Sequence, residues 1–444
     1  MLIGLDIGTS SVKGVLVTND GNIVKNAHKS FSYTRLDNGG VEISADDYIA
    51  TCFSAIYELS KGQMIDGFCA SSASGNLLLM DKDNNPLTPI FNWQDKRVTS
   101  EAREILGEMD TYEFYKRTGW PFSYKTMPLA LLCYIKKHMP EKIENCGKVC
   151  MSTEYLYFRL TGKWGISTSA GTPFFLIDQK NGKYIPEILD KIGISENMLP
   201  PVMPCGSVLG TVTEAAEQKC GLKKDTPVIL GSFDHPSAAR GVGVLKEGEM
   251  LLSCGTSWVA FIPIMDRAKI ENTKALIDPF LSEKGGAWGA MVSASSLSER
   301  IALYVNRYID GSENAYKTLS SLAQQNAADG LLINITEEPD DSKFEGFTKG
   351  NIARAIMESA VRILKEKISV FESVGIKTNT AVMVGGPSEN PMWRKIILEI
   401  CGISVKVKHG AFAGAVGASA IAGIGVGIFE NESVAARILD KETV

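Results

Sequence analysis

The first sixty residues alternate apolar runs with polar breaks in a regular way. Leu2 to Asp6 is an apolar run closed by an acid, the turn Gly8-Thr9-Ser10 follows, and a second run covers Val12 to Val17. Asn19-Asp20-Gly21 is a hairpin signal leading into a third strand from Asn22. Ser44-Ala45-Asp46-Asp47 then opens an amphipathic helix reaching about Ser60, with Ser44 as N-cap and acids in the first turn. Met64 to Ala70 reads as another strand, followed by a polar segment, Ser71 to Asn76, and the apolar Leu77 to Met80. Helices fill much of Ser100 to Arg159. Gly and Pro punctuate Cys205 to Gly221, and Thr226 to Ser232 restarts a buried strand.

The second half repeats this theme. Met250 to Ser253 and Trp258 to Ile262 flank the turn Gly255-Thr256-Ser257, a helix spans Gly350 to Ser373, and the strand Thr380 to Val384 follows. That strand runs into Gly385-Gly386-Pro387-Ser388-Glu389-Asn390, with a helix from Met392, a common nucleotide-contacting arrangement. The change of pattern at 222–230 divides the chain into residues 1–227 and 228–444, in keeping with a length of 444 residues that exceeds one hydrophobic core.

Two Gly-Thr-Ser turns in matching hairpins suggest a phosphate chain held from two sides. Glycine lets a ligand approach the main chain, while neighbouring N–H groups and the hydroxyls of Thr9 and Ser10 donate to phosphate oxygens. Asp6, an acid ending an apolar strand, needs a cation, a donor or water beside it. Either turn alone reads better as an ordinary Gly-containing hairpin; the repetition, with one copy carrying the acid, favours a nucleotide.

Composition narrows the partners. With 44% hydrophobic residues, 22% charged and a net charge of −5, the chain reads as a globular protein unsuited to nucleic acid or an anionic membrane. Its nine cysteines are scattered without a C-x-x-C pair, which fits a reduced, cytoplasmic setting without disulfides. No basic n-region or cleavage site of a signal peptide stands at the start. Ala411 to Phe429 has the length of a membrane span but is mostly Ala and Gly, and reads as buried helix packed through small faces.

Six segments in order resemble the FGGY family of carbohydrate kinases over nearly the whole chain: LIGLDIGTSSVKGVLV at the start, FNWQDKR at 91–97, STEYLYFRLTGKWGISTSAGT at 152–172, GSFDHPSAARGVG at 231–243, LLSCGTS at 251–257 and VMVGGPSENPMWRK at 382–395. The resemblance implies an α/β protein of two ribonuclease-H-like domains, as in the actin and hexokinase superfamily, flanking a deep cleft. It implies an ATP- and Mg²⁺-dependent transfer of phosphate to a hydroxyl of a small ketose, polyol or sugar acid, with a homodimer as a frequent assembly among relatives. Carried over by similarity, Asp234 is the catalytic base. Asp6 and Asp234 face the metal, and Gly8, Thr9, Ser10, Gly255 and Thr256 hold the phosphates. Gly385, Gly386 and Asn390 face the adenosine, while Trp93, Asp95 and Arg97 form the sugar-side W-x-D-x-R segment.

The residues themselves leave alternatives. Asp234 reads equally as a helix N-cap, Trp93 as core, and His235 either as a substrate ligand or as an orienting group for the Asp234 loop. The family's Gln-Met-His-Gly segment is here Ala73-Ser74-Gly75-Asn76, so the sugar-contacting histidine is missing and Asn76 and His235 are the candidates to take over its contacts. The same fold also serves actin- or chaperone-like ATPases and sugar sensors without catalysis. Neither needs the W-x-D-x-R segment together with an intact base.

Overall fold

The computed structural model describes residues 1–255 and 257–440 and divides into two compact units. The first comprises Met1–Leu245, Met265–Gly289 and the chain from Phe412 onward; the second comprises Lys246–Ile264 and Ala290–Ala411. The boundary expected at 228 therefore moves. Strand Pro227–Phe233 is hydrogen-bonded into the first unit's sheet, so this unit runs on to Leu245, and the C-terminal segment returns to it.

That sheet has six strands in the order Val208–Thr211, Pro227–Phe233, Gly67–Ser72, Leu2–Ile7, Ser11–Val17 and Ile23–Ser30. The last three form the antiparallel meander expected from the first turn signals, while Leu2–Ile7, Gly67–Ser72 and Pro227–Phe233 run parallel. Register aligns Ile7 with Ser72 and Ser72 with Phe233. Three parallel strands thus end together. The chain leaves them as the Gly8 turn, the segment Ala73 to Asn76 and Asp234, side by side at the carboxyl ends, where open α/β sheets place ligands.

Both faces of this sheet are covered. Helix Ala45–Ser60, capped by the Ser44 hydroxyl accepting from the Asp47 N–H, packs Tyr48, Ile49, Cys52 and Ile56 onto one face. Helix Ala413–Gly425 covers the other. The small-residue segment is thus one buried helix, and among the described residues no helix is long and apolar enough to cross a membrane. It packs backbone to backbone: a Cβ at Gly4 would run into Ala415 O, and one at Gly417 into Ser237 O. Such approach is open only to glycine.

The second unit contributes neighbouring strands Trp288–Ala294, Trp258–Ile264, Glu249–Cys254, Thr380–Val384 and Ser404–Val407 of another six-stranded sheet. Glu249–Cys254 pairs antiparallel with Trp258–Ile264 and parallel with Thr380–Val384, which in turn runs parallel to Ser404–Val407. A hairpin with a Gly-Thr-Ser turn followed by two parallel strands is the arrangement of the first unit again. Both units are ribonuclease-H-like. The long helix Lys349–Glu372 starts with a reciprocal cap between Thr348 and Asn351.

The stretch expected to be mostly helical holds helices Glu101–Leu106, Thr111–Thr118, Met127–His138, Pro140–Glu144 and Ser152–Thr161, and also strand Cys146–Cys150, paired with Leu78–Asp81. A five-residue strand containing Gly147 and Lys148 has no local signature, because its partner lies some seventy residues away.

Glu154, in helix Ser152–Thr161, is fully buried; Oε2 accepts from the Met151 N–H at 3.0 Å and Oε1 has no partner. Burial pushes its carboxyl up to about 8. The folded state therefore holds a proton that the unfolded chain releases near pH 4.5, and stability falls as pH rises from there to about 8. Glu154→Gln should be near neutral at pH 4 and stabilising at pH 8, read from urea midpoints at the two pH values; equal effects at both would exclude a proton on Glu154.

Candidate active site

The first unit gathers most of the expected residues. Asp6, at the end of strand Leu2–Ile7, has one carboxylate oxygen, Oδ1, buried without a hydrogen-bond partner among the described residues. Burial, and next to it the charge of Asp234, pushes its carboxyl up to about 7. Asp234 follows directly on strand Pro227–Phe233 and is itself the first residue of helix Asp234–Val242, two residues earlier than the expected start at Pro236. Its Oδ1 accepts from the His235 N–H at 2.7 Å, and burial raises its pKa while His235 and that N–H oppose the shift. Two acids at the same end of a parallel sheet, on strands separated only by Gly67–Ser72 and both driven toward the neutral form, are arranged to receive a cation or a proton.

This pair is fixed from behind by residues the sequence reading did not single out. A Cβ at Gly414, in the C-terminal helix, would stand 2.5 Å from Asp6 Oδ2, and the Ser237 hydroxyl donates to Gly414 O at 2.9 Å. Ser169 accepts from the Phe233 N–H at 3.1 Å and donates to Asp278 Oδ2 at 2.8 Å, and Asp278 is pushed up to about 6 by burial. Ser169 and Asp278 thus clamp the strand end that carries Asp234. Ser169 lay within one of the family-like segments, but Asp278 had no local signal, since its role depends on a partner 109 residues away.

In the first turn Gly8 donates its N–H to Ser11 O at 2.9 Å, so its own part is to close the turn. Ser10 is exposed, and the Thr9 hydroxyl accepts from Trp93 Nε1 at 2.9 Å. Half-buried Trp93 is therefore anchored to the first turn. His235 sets its ring edge-on to Phe233, 5.5 Å between centroids, with Nε2 3.8 Å from Asp234 Oδ1, which favours the orienting role.

Three sugar-side candidates are engaged elsewhere. Asp95 is 1% exposed and accepts from the Val41 N–H and from Arg97 Nε, at 2.9 Å each. Arg97 also reaches Glu42 at 2.9 Å and lies over the Phe91 ring. Asp95 and Arg97 form a clasp between loops, a buried pair with its lone pairs satisfied. Asn76 accepts from the Ser152 N–H at 2.7 Å and donates to Ser152 Oγ at 3.0 Å, tying its segment to the start of helix Ser152–Thr161. In this structure Asn76, Asp95 and Arg97, which the resemblance places toward the substrate, have these polar atoms bonded to the scaffold.

The second unit carries the other group. Strand pairing sets Ser253 beside Val384, so Gly385 leaves its strand next to the second turn. Gly385 has φ +93, and a Cβ there would strike Cys254 O, which requires glycine. The second turn is closed by the Gly255 N–H to Ser257 O at 3.1 Å and held by the Ser298 hydroxyl on Gly255 O at 2.6 Å; Thr256 lies outside the described residues. Gly386, Asn390, Ser298, Tyr316, Lys317 and Trp393 line a pocket of about 620 Å³, within the range of small-molecule sites. Asn390 caps helix Pro391–Cys401 by accepting from the Met392 N–H at 3.0 Å, and bonds Ser320.

Residues 1–241 match the N-terminal domain, and residues 326–426 the C-terminal domain, of the FGGY family of carbohydrate kinases. The chain is 27% identical over 452 residues to the xylulose kinase of Bacillus subtilis (97% of this chain, 89% of that one), and 24% identical over 472 residues to the autoinducer-2 kinase of Yersinia enterocolitica (97% and 87%). Its fold matches the crystal structures of gluconate kinase from Lactobacillus acidophilus (TM-score 0.86, 20% identity, 98% and 91% covered) and of Plasmodium falciparum glycerol kinase with ADP (0.87, 16%, 99% and 92%).

If Asn76 is a scaffold residue, Asn76→Ala should lower unfolding free energy by about 1–3 kcal/mol, because the Ser152 N–H is left buried and unpaired. Denaturant unfolding reads this directly. Unchanged stability would return Asn76 to the list of ligand contacts.

Proposed function

The chain belongs to the FGGY family of carbohydrate kinases, ATP-dependent sugar phosphotransferases, and we propose that it phosphorylates a hydroxyl of a small ketose, polyol or sugar acid with Asp234 as base. The observation that carries this reading is the pair Asp6 and Asp234 at the same end of the sheet, one with a buried carboxylate oxygen that has no hydrogen-bond partner among the described residues. The named activities of its relatives, on xylulose and on autoinducer-2, support a small polyhydroxylated acceptor.

Phosphoryl transfer asks a protein chiefly to position reactants and neutralise charge. In the proposed step the acceptor oxygen forms a bond to the γ-phosphorus, its proton passes to the Asp234 carboxylate, and the bond to the departing ADP oxygen breaks. The helix N-terminus at Asp234 keeps the ionised base accessible against the burial that raises its pKa. His235 orients that carboxylate through its N–H. Trp93 holds the Thr9 hydroxyl and so keeps the first turn in register with the acceptor side. The pocket about Gly386, Asn390 and Trp393 suits the nucleoside.

Mg²⁺ fits the residues present. Asp6 and Asp234 would hold it, since a cation would meet the unpartnered Asp6 oxygen and relieve the repulsion between the two acids. Among the described residues no cluster of three or more His, Cys, Asp or Glu forms a cage, which agrees with Mg²⁺ held by few carboxylates and by nucleotide phosphates. When bound it supplies charge neutralisation at the transferred phosphoryl group. All nine cysteines are free thiols, which supports a cytoplasmic setting.

The rival reading, an ATPase driving a partner, shares the turns but does not need a base oriented beside an acceptor segment. Asp234→Ala should lower kcat at least about a thousandfold while ADP binding, followed by calorimetry, is retained. An ADP-release assay across pentuloses, hexuloses, polyols and sugar acids should show stimulation by one class. Steady hydrolysis without stimulation by any of them would favour the ATPase.

A further inference from the structure

The strand that leads into Asp234 is irregular just before it. Between Leu230, which stands opposite Ala70, and Phe233, opposite Ser72, strand Pro227–Phe233 uses one residue more than strand Gly67–Ser72. This is a β-bulge at Gly231 and Ser232. Leu2–Ile7, on the other side of Gly67–Ser72, keeps its register throughout, so the irregularity belongs to the strand of Asp234 and not to that of Asp6. A strand without the extra residue would set Ser232 opposite Ser72 and carry Asp234 one residue further out. The bulge thus fixes where Asp234 leaves the sheet.

A bulge leaves backbone groups without partners across the ladder, and here buried hydroxyls supply them. The Tyr157 hydroxyl, from helix Ser152–Thr161, accepts from the Gly231 N–H at 2.9 Å and the Ala70 N–H at 3.3 Å, and donates to Ala70 O at 2.7 Å. Its one donor and two acceptor sites are all used. Ser167 Oγ donates to Gly231 O at 2.5 Å and accepts from the Ala170 N–H at 3.0 Å. Ser169 Oγ holds the Phe233 N–H and is backed by Asp278, whose Oδ1 accepts from the Phe280 N–H at 2.7 Å. Gly231 lies so close to the neighbouring strand that a Cβ there would stand 1.9 Å from Ala70 O. None of these bonds involves the Asp234 carboxylate; they act on the backbone that aims it.

We propose that Tyr157, Ser167 and Ser169 are positioning residues for the phosphoryl transfer, their hydroxyls locking the bulge at Gly231 and Ser232 and the bulge aiming the Asp234 carboxylate. The inference rests on the reading of Asp234 as base and extends it to three residues that act through the strand. With the Tyr157 oxygen gone, the Gly231 and Ala70 N–H groups are left buried and unpaired, a state that direct pairing of the two strands relieves. That repair removes the bulge, and the base moves with it. The pocket about Gly386 and Asn390 shares no residue with the bulge, so turnover and nucleotide binding separate.

The test uses the intact enzyme with ATP, Mg²⁺ and the acceptor that most stimulates ADP release in a panel of pentuloses, hexuloses, polyols and sugar acids. Tyr157→Phe and Ser169→Ala should each lower kcat about 10- to 100-fold with KM for ATP and acceptor nearly unchanged. The double variant should lose little more than the worse single one, because both hydroxyls hold one bulge. Tyr184→Phe is the control: it removes an equally buried hydroxyl of the same unit, which donates to Pro200 O at 2.7 Å, and should lower the urea midpoint with kcat unchanged. Should Tyr157→Phe fail to fold, Ser167→Ala, Ser169→Ala and their double variant make the same comparison. Variants that lose stability but keep the kcat of the control would overturn the proposal and leave the kinase reading standing. So would a rise in KM at constant kcat, or losses that multiply in the double variant. No ADP release above the sugar-free rate by the unsubstituted enzyme with any member of the panel would overturn the kinase reading and this inference with it.

Discussion

Two carboxylates, Asp6 and Asp234, stand at the same end of a parallel sheet with strand Gly67–Ser72 between theirs, and most of the first unit can be understood as the means of holding them there. Left alone they would repel or take up protons, as the shift of Asp6 to about 7 indicates. What keeps them in place is backbone contact. Helix Ala413–Gly425 lies against strand Leu2–Ile7 and helix Asp234–Val242 through glycines that admit no side chain, with Gly414 against the Asp6 carboxylate and Gly417 against Ser237 O. Ser169 and Asp278 hold the other strand end. Destabilised carboxylates supported by a rigid, close-packed shell are what a site for cation and proton chemistry requires.

The two Gly-Thr-Ser hairpins belong to one fold used twice, yet their surroundings divide the work. The first is followed in its sheet by the strands that end at Ala73 to Asn76 and at Asp234. The second is followed by Thr380–Val384 and the turn at Gly385, beside a pocket of nucleoside size. Register decides this in both cases, since a turn gains chemical company only from the strand paired with its own.

Several polar residues that catch the eye in the sequence are tied into the scaffold for a common reason. Asp95, Arg97 and Asn76 lie on loops and strand ends that leave backbone N–H groups or charges to be satisfied, and they satisfy them. A buried acid needs a partner, and for Asp95 the partner is Arg97 two residues on. Residue type and spacing identified a site region, while the division between ligand contact and scaffold needed the distances.

By itself the sequence determined the strand-turn-strand openings of both halves, the N-cap of helix Ala45–Ser60, the strand Thr380–Val384, the buried character of the small-residue helix, and through motif order the family. These rest on local propensity, hydrophobic period and glycine placement, all properties of neighbours along the chain. Tertiary structure alone decided that strand Pro227–Phe233 and the C-terminal helix belong with the first unit, that Cys146–Cys150 is a strand, and that Gly414, Ser169 and Asp278 stand behind the acids. Each of these depends on a pairing between segments tens to hundreds of residues apart, whose free energy is realised only when the chain closes on itself and leaves no period or cap in the local pattern.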